Sequence, residues 1–177
     1  MYFNNETVLY LDGKFVKATE STTDLYGQTL HYGYGAFEGI RSYETEHGTK
    51  VFKAEEHYER LKKSCELVKI PLDYTVQELV EATYELLEKN NLKNAYIRPL
   101  VYCAPNMSLT KPTSVSLMIA VWDWGAYLGE KLLRLIVSSY CRPHPKSIHI
   151  EAKICGHYVN SILATTEAKD KGFDEAL

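Results

Sequence analysis

Two helical segments stand side by side in a chain that otherwise reads as strands and turns, and this order constrains the fold most. Over residues 55–69, Tyr58, Leu61, Cys65 and Val68 recur at helical spacing while Glu59, Lys62, Lys63 and Glu66 face water. The pattern predicts an amphipathic helix stopped by Pro71. Thr75, with Glu78 three residues on, has the pattern of a capping box, and the stripe Val76, Leu79, Val80, Leu86 and Leu87 carries a second helix to Asn90. Ahead of them, residues 7–11 and 14–18 flank Asp12-Gly13, a dipeptide suited to the positive backbone angles of a two-residue hairpin turn. Residues 39–45 and 50–53 read as two strands joined by the polar turn around Glu46-His-Gly48, and residues 95–102 and 114–123 as buried strands. Together these elements predict a compact α+β domain over residues 1–123.

The remainder is shorter. Trp124-Gly-Ala-Tyr-Leu-Gly129 breaks the strand pattern with two glycines and reads as an interdomain connection over residues 124–130. A second domain starts at residue 131, with a strand over 131–139, the Pro143-His-Pro145 loop and a short strand over 148–152. Val159, Ile162, Leu163 and Thr166 line one side of a closing helix, which Gly172 is placed to terminate. A net charge of −3 with no basic stripe argues against nucleic acid as a partner, and no window is apolar enough to span a bilayer. Cys65, Cys103, Cys141 and Cys155 are widely spaced with no CxxC pair, so no metal site is indicated and reduced thiols of a cytoplasmic protein are expected. Fourteen tyrosines supply core packing and hint at a half-wet recognition surface.

One stretch suggests chemistry directly. In Glu151-Ala-Lys-Ile-Cys-Gly-His-Tyr-Val-Asn160, Lys153 ends an apolar, strand-like segment just before a helix. An amine sheltered there can attack a carbonyl such as an aldehyde cofactor, and Tyr158, on the first helical turn, can hydrogen-bond the oxygen beside the resulting imine. A second stretch, His31-Tyr-Gly-Tyr-Gly-Ala-Phe-Glu-Gly-Ile-Arg41, packs three glycines, three aromatics and two opposite charges together. Such density suits a backbone that must approach something closely. It is not a dinucleotide fingerprint, because Gly33, Gly35 and Gly39 are spaced one residue too wide and lead into a strand.

Five blocks, in order along nearly the whole chain, then form a recognisable set. They are Tyr32-Gly-Tyr-Gly-Ala-Phe-Glu-Gly-Ile-Arg41, His57-Tyr-Glu-Arg-Leu61, Tyr96-Ile-Arg-Pro99, Trp124-Gly-Ala-Tyr127 and Lys153-Ile-Cys-Gly-His-Tyr158. With them the chain resembles the branched-chain amino acid aminotransferases, within the fold-type IV enzymes that use pyridoxal 5'-phosphate (PLP). The resemblance implies a complete small α+β domain plus the beginning of a larger β-rich cofactor domain. It implies transfer of an amino group between branched-chain L-amino acids and 2-oxoglutarate, giving branched-chain 2-oxo acids and L-glutamate. Lys153 corresponds to the lysine that bonds PLP and then moves the substrate proton. Arg60 corresponds to the arginine on the cofactor phosphate, and Tyr158 to the tyrosine on its phenolic oxygen. Phe37, Trp124 and Tyr127 correspond to the apolar substrate walls, with Gly39 beside them. Tyr96 corresponds to the helper for the substrate α-carboxylate, and Arg98 to the group receiving the side-chain carboxylate of glutamate. Arg41 either holds the region around Glu38 in shape or lies near the pocket through water. Tyr32 corresponds to a residue reaching into the partner subunit's site, which implies a homodimer.

His157 stands where the family more often has asparagine, and Cys155 where it has a small residue; both are compact enough to keep the geometry. D-amino acid aminotransferases and aminodeoxychorismate lyases share the fold and the lysine. The Phe37-Glu-Gly-Ile-Arg41 and Trp124-Gly-Ala-Tyr127 blocks favour the branched-chain group. The family carries, beyond the position of Leu177, the acid that pairs with the pyridine nitrogen, further phosphate ligands and the turn that binds the α-carboxylate. The expectation is therefore that these 177 residues alone bind PLP poorly and transaminate little, as a piece of a longer enzyme.

Overall fold

A computed structural model describes residues 2–125 and 132–177 of the chain. Strands β1 (Val8–Leu11) and β2 (Lys14–Lys17) pair antiparallel around Asp12 and Gly13, whose φ angles of 47° and 85° are those the dipeptide predicts. A short helix α1 (Gln28–Tyr32) ends on Gly33 and leads into β3 (Gly35–Phe37) and β4 (Ile40–Thr45). Thr45 pairs with Gly48, so the turn is the two residues Glu46 and His47, and Gly48 opens β5 (Gly48–Val51) with φ 88°. Helices α2 (Ala54–Leu67) and α3 (Val76–Lys89) follow, then β6 (Tyr96–Cys103) and β7 (Val115–Trp122).

The sheet has the order β2-β1-β7-β6-β4-β5, with β3 also paired to β6, and every pairing is antiparallel. Tyr58, Leu61 and Cys65 of α2 and Leu79, Leu86 and Leu87 of α3 pack with Ile40, Ile97, Val101, Leu117 and Ile119 into one apolar core. Strands β6 and β7, expected to be buried, alternate instead. Ile97, Pro99, Val101 and Cys103 are buried, while Tyr96, Arg98, Leu100 and Tyr102 are only partly covered. The helices thus cover one face and leave Tyr96 and Arg98 on the other, which is the period-two consequence of the pleat. Nor does Pro71 stop α2. Lys69 takes a left-handed φ of 59° and the Ile70 N–H donates to the Cys65 carbonyl, so the chain turns before the proline is reached.

The second segment differs more from expectation. The strand expected over residues 131–139 shrinks to β8 (Leu135–Ile136), because its partner, the parallel β9 (Glu175–Ala176), is equally short. Residues 148–152 form turns rather than a strand. The Ser147 N–H bonds back to the His144 carbonyl and the Ala152 N–H to the His149 carbonyl, so the backbone is satisfied locally instead of along a ladder. Helix α4 (Tyr158–Asp170) closes the chain and gives way to Gly172 at φ 79°, as expected, but its Val159 and Ile162 are 61% and 64% exposed. Most of the expected connection over 124–130 lies outside the described residues. Among the described residues no helix is long and apolar enough to cross a membrane.

The capping box is present in both directions. The Thr75 hydroxyl accepts the Glu78 N–H at 3.2 Å, and the Glu78 carboxylate accepts the Thr75 N–H at 2.7 Å. Thr75→Ala should lower the stability of the chain by about 1 kcal/mol. Denaturant unfolding should show an earlier midpoint with an unchanged slope.

Candidate active site

Lys153 is fixed by its backbone. Its N–H donates to the Ser64 hydroxyl on α2 at 3.0 Å, and its carbonyl accepts the Phe37 N–H from β3 at 3.1 Å. The next residue, Ile154, forms an isolated bridge with Ala36, so Lys153-Ile154 runs along the edge of β3 that β6 leaves free. One step further the Gly156 N–H donates to the Gly33 carbonyl at 2.9 Å. Gly33 has φ 65°, and a Cβ built on it would lie 2.8 Å from the Gly156 Cα. Glycine is needed at position 33, where the positive φ and the close backbone of residue 156 leave no room for a side chain.

The alternation of one strand sorts the next groups. Ala36 pairs with Val101 on the helix-covered face, so Phe37, opposite Leu100, points to the open face. Glu38 returns to the helix side and is 0% exposed. There its two oxygens accept Arg60 Nε at 2.6 Å and Arg60 Nη2 at 2.7 Å, and Oε2 also contacts His57 Nδ1 at 3.0 Å. Burial pushes the Glu38 carboxyl upward, but the hydrogen bonds and charges of Arg60 and His57 outweigh it and hold it below its ordinary value. The same Glu38 hydrogen bonds raise the Arg60 guanidinium above its own ordinary value. His57, Arg60 and Ser64 are three and four residues apart, so one side of α2 presents all of them.

The side chains meet in a cleft of about 180 Å³ lined by Arg60, Arg142, Ala152, Lys153, His157 and Tyr158, among others. Lys153 Nζ donates to the Tyr158 hydroxyl oxygen at 2.5 Å and stands 4.7 Å from the centre of the Phe37 ring. Phe37 and Tyr158 are themselves in contact, with centroids 4.7 Å apart. His157 is 4% exposed, and its Nε2 has no partner among the described residues. Burial and the Arg142 charge hold its pKa below the usual histidine value, against a hydrogen bond to the Ala152 backbone and the Glu151 charge.

On the open face, Arg98 donates to the Tyr96 hydroxyl at 2.9 Å and stands over the rings of Phe37, Tyr96 and Trp122 at 4.7, 5.1 and 5.9 Å. Trp124 packs on Tyr96 at 4.9 Å. Gly39 makes room for this cluster, since a Cβ there would fall 2.1 Å from the Tyr96 oxygen. Arg41 donates to the Gly125 carbonyl at 3.0 Å, and among the described residues Glu38 is bonded by Arg60 and His57 instead. Tyr32 stands apart from the cleft, half exposed, with its hydroxyl donating to the Met107 carbonyl at 3.0 Å. Tyr127 lies outside the described residues. Lys153, Tyr158, Arg60 and Phe37 are thus brought together, and Tyr96, Arg98 and Trp124 form a cluster joined to them through Phe37.

Sequence reasoning missed Glu38 and Ser64. Each carries a signal in hindsight: an acid between Phe37 and Gly39 in an apolar run, and a serine on the buried side of α2, only 1% exposed.

Residues 35–177 match the family model for amino-transferase class IV, and the chain belongs to that family. Among its relatives, the branched-chain-amino-acid aminotransferase of Pseudomonas aeruginosa is 39% identical over 98% of this chain and 59% of its own length. The Escherichia coli K12 enzyme of the same name is 36% identical over 96% and 57%. The crystal structure of the branched-chain aminotransferase from Thermoproteus uzoniensis with norvaline superposes with a TM-score of 0.92 at 36% identity, covering 96% of this chain and 58% of that one. That of the Thermobaculum terrenum enzyme in its PLP form gives 0.86 at 29%, covering 98% and 58%. The chain therefore spans less than two thirds of the length of these relatives.

Gly33→Ala tests whether this contact holds the lysine in place. A β-carbon would strain a positive φ and strike backbone, so the change should destabilise by at least about 1 kcal/mol, whereas Gly→Ala at a compatible position stabilises. Near-ultraviolet circular dichroism should also lose part of the Tyr158 signal.

Proposed function

We propose that the protein transfers amino groups between branched-chain L-amino acids and 2-oxoglutarate, with PLP as cofactor and Lys153 as the amine that holds it. The observation that carries this reading is the Lys153 amine 2.5 Å from a phenol, in a cleft that also presents Arg60. The residues fit the cofactor. A cation suits the phosphate, a phenol the ring oxygen and an amine the aldehyde, and His157, whose buried Nε2 has no partner among the described residues, lines the same cleft. Bound PLP supplies the electron sink that makes loss of the substrate Cα proton feasible.

The rest falls to the chain. Arg60 binds the phosphate through the N–H groups that Glu38 leaves free. The Tyr158 hydroxyl hydrogen-bonds the ring oxygen and keeps the Lys153 side chain directed into the cleft. Lys153 Nζ takes the proton from the substrate Cα, a transfer made efficient by the backbone hydrogen bonds that fix its position. Phe37, Tyr96 and Trp124 give an apolar floor for a leucine, isoleucine or valine side chain. Arg98, spread over three aromatic rings, provides the charge for the second carboxylate of glutamate. One surface thereby accepts two unlike side chains.

We also assign residues 1–123 to a small domain and 131–177 to a cofactor domain, joined by residues 124–130, with Tyr127 completing the substrate wall. Tyr32, half exposed and away from its own cleft, suits a residue that completes the site of a second subunit in a homodimer. A cytoplasmic setting fits the four free cysteines.

Amino donors decide the substrate class. With 2-oxoglutarate as acceptor, a chain spanning the full length of these relatives should use L-leucine, L-isoleucine and L-valine and leave D-alanine unused; the reverse preference would contradict the reading. Lys153→Ala should reduce the rate by at least about a hundredfold without changing the melting temperature.

A further inference from the structure

Glu38 is a carboxylate with no exposed surface, between β3 and β4, which send Ala36 and Ile40 into the core. A buried ion pair is weak evidence of stabilisation, since apolar groups of similar shape serve a core at least as well. Its retention calls for another use. The pairing is side-on: Nε and one Nη2 hydrogen of Arg60 go to the two Glu38 oxygens, while the Nη1 edge is left unused by this acid. The Arg60 side chain is 52% exposed and lines the same cleft as Lys153 and Tyr158. His57 fixes the same carboxylate from the other side, at 3.0 Å from Oε2, and lies 3.4 Å from Arg60 Nη2. A long, flexible side chain is thereby held in one plane before any ligand arrives.

We propose that Glu38 is a positioning residue for phosphate recognition: it orients the Arg60 fork so that its free edge points at the phosphate of the cofactor. This rests on the assignment of Arg60 to that phosphate. The acid offsets part of the Arg60 charge, so the direction of the remaining N–H groups adds to the attraction between the guanidinium and the phosphate. The consequence is specific to the phosphate, because neither Glu38 nor Arg60 is needed for the ring.

Equilibrium binding of PLP and of pyridoxal, which lacks the phosphate, separates these roles. The wild-type chain should prefer PLP, and Arg60→Ala should remove that preference. Glu38→Gln, nearly isosteric, should reduce the PLP-to-pyridoxal ratio on the order of tenfold, the scale seen when a group that orients a ligand-binding side chain is removed. Pyridoxal binding itself should stay unchanged. In an Arg60→Ala background, Glu38→Gln should have no further effect on the ratio. Arg60→Lys keeps the charge but lacks the fork and should also lose roughly tenfold; it carries the test if Glu38→Gln fails to fold. An unchanged ratio in either variant, or equal weakening of both ligands by Glu38→Gln, would overturn the positioning role. A wild-type chain that does not discriminate, or an Arg60→Ala chain that still does, would overturn the assignment of Arg60 to the phosphate and this inference with it.

Discussion

Two hydrogen bonds made by the Lys153 backbone hold the site together: its N–H to the Ser64 hydroxyl, and the Phe37 N–H to its carbonyl. They place the lysine between a helix and a strand that are themselves parts of one core. Because the anchors lie on α2 and β3, packing of that helix against the sheet also sets where the amine stands. The Gly33 to Gly156 contact extends the same seam by allowing the two chain segments to approach at backbone distance. Pre-organisation of this kind lets a flexible side chain act at a fixed point without being immobilised by its own contacts alone.

The strand β3 and the residues just after it divide the chemistry. Phe37 and Gly39 serve the open face, one as an aromatic surface for Lys153 and Arg98, the other as space for Tyr96. Glu38 between them turns to the helices and holds Arg60. A shift of register by one residue would exchange these roles, so the pairing of β3 with β6 protects the cleft and the substrate-facing cluster together.

Much of this could be read in advance where the signal is local. Asp12-Gly13 set its hairpin, Thr75 and Glu78 set the start of α3, and five sequence blocks pointed to the family and to the residues of the cleft. The failures concern what depends on partners. The turn before Lys153 carries the apolar residues of a strand, but its backbone bonds close locally, and a strand exists only where another offers a ladder. The short β8 has the same cause, its partner β9 being two residues long. Glu38 was overlooked as a working residue because its partners, His57 and Arg60, lie on a helix that reaches it only after folding.

The central claim is that Lys153 is the amine that bonds the cofactor. Borohydride reduction of the protein after incubation with PLP, followed by peptide mass mapping, tests it most directly. The account predicts a phosphopyridoxyl group on Lys153 ahead of every other lysine, and its loss from that peptide when excess pyridoxal phosphate oxime competes. Label spread over surface lysines with Lys153 unmodified would contradict it.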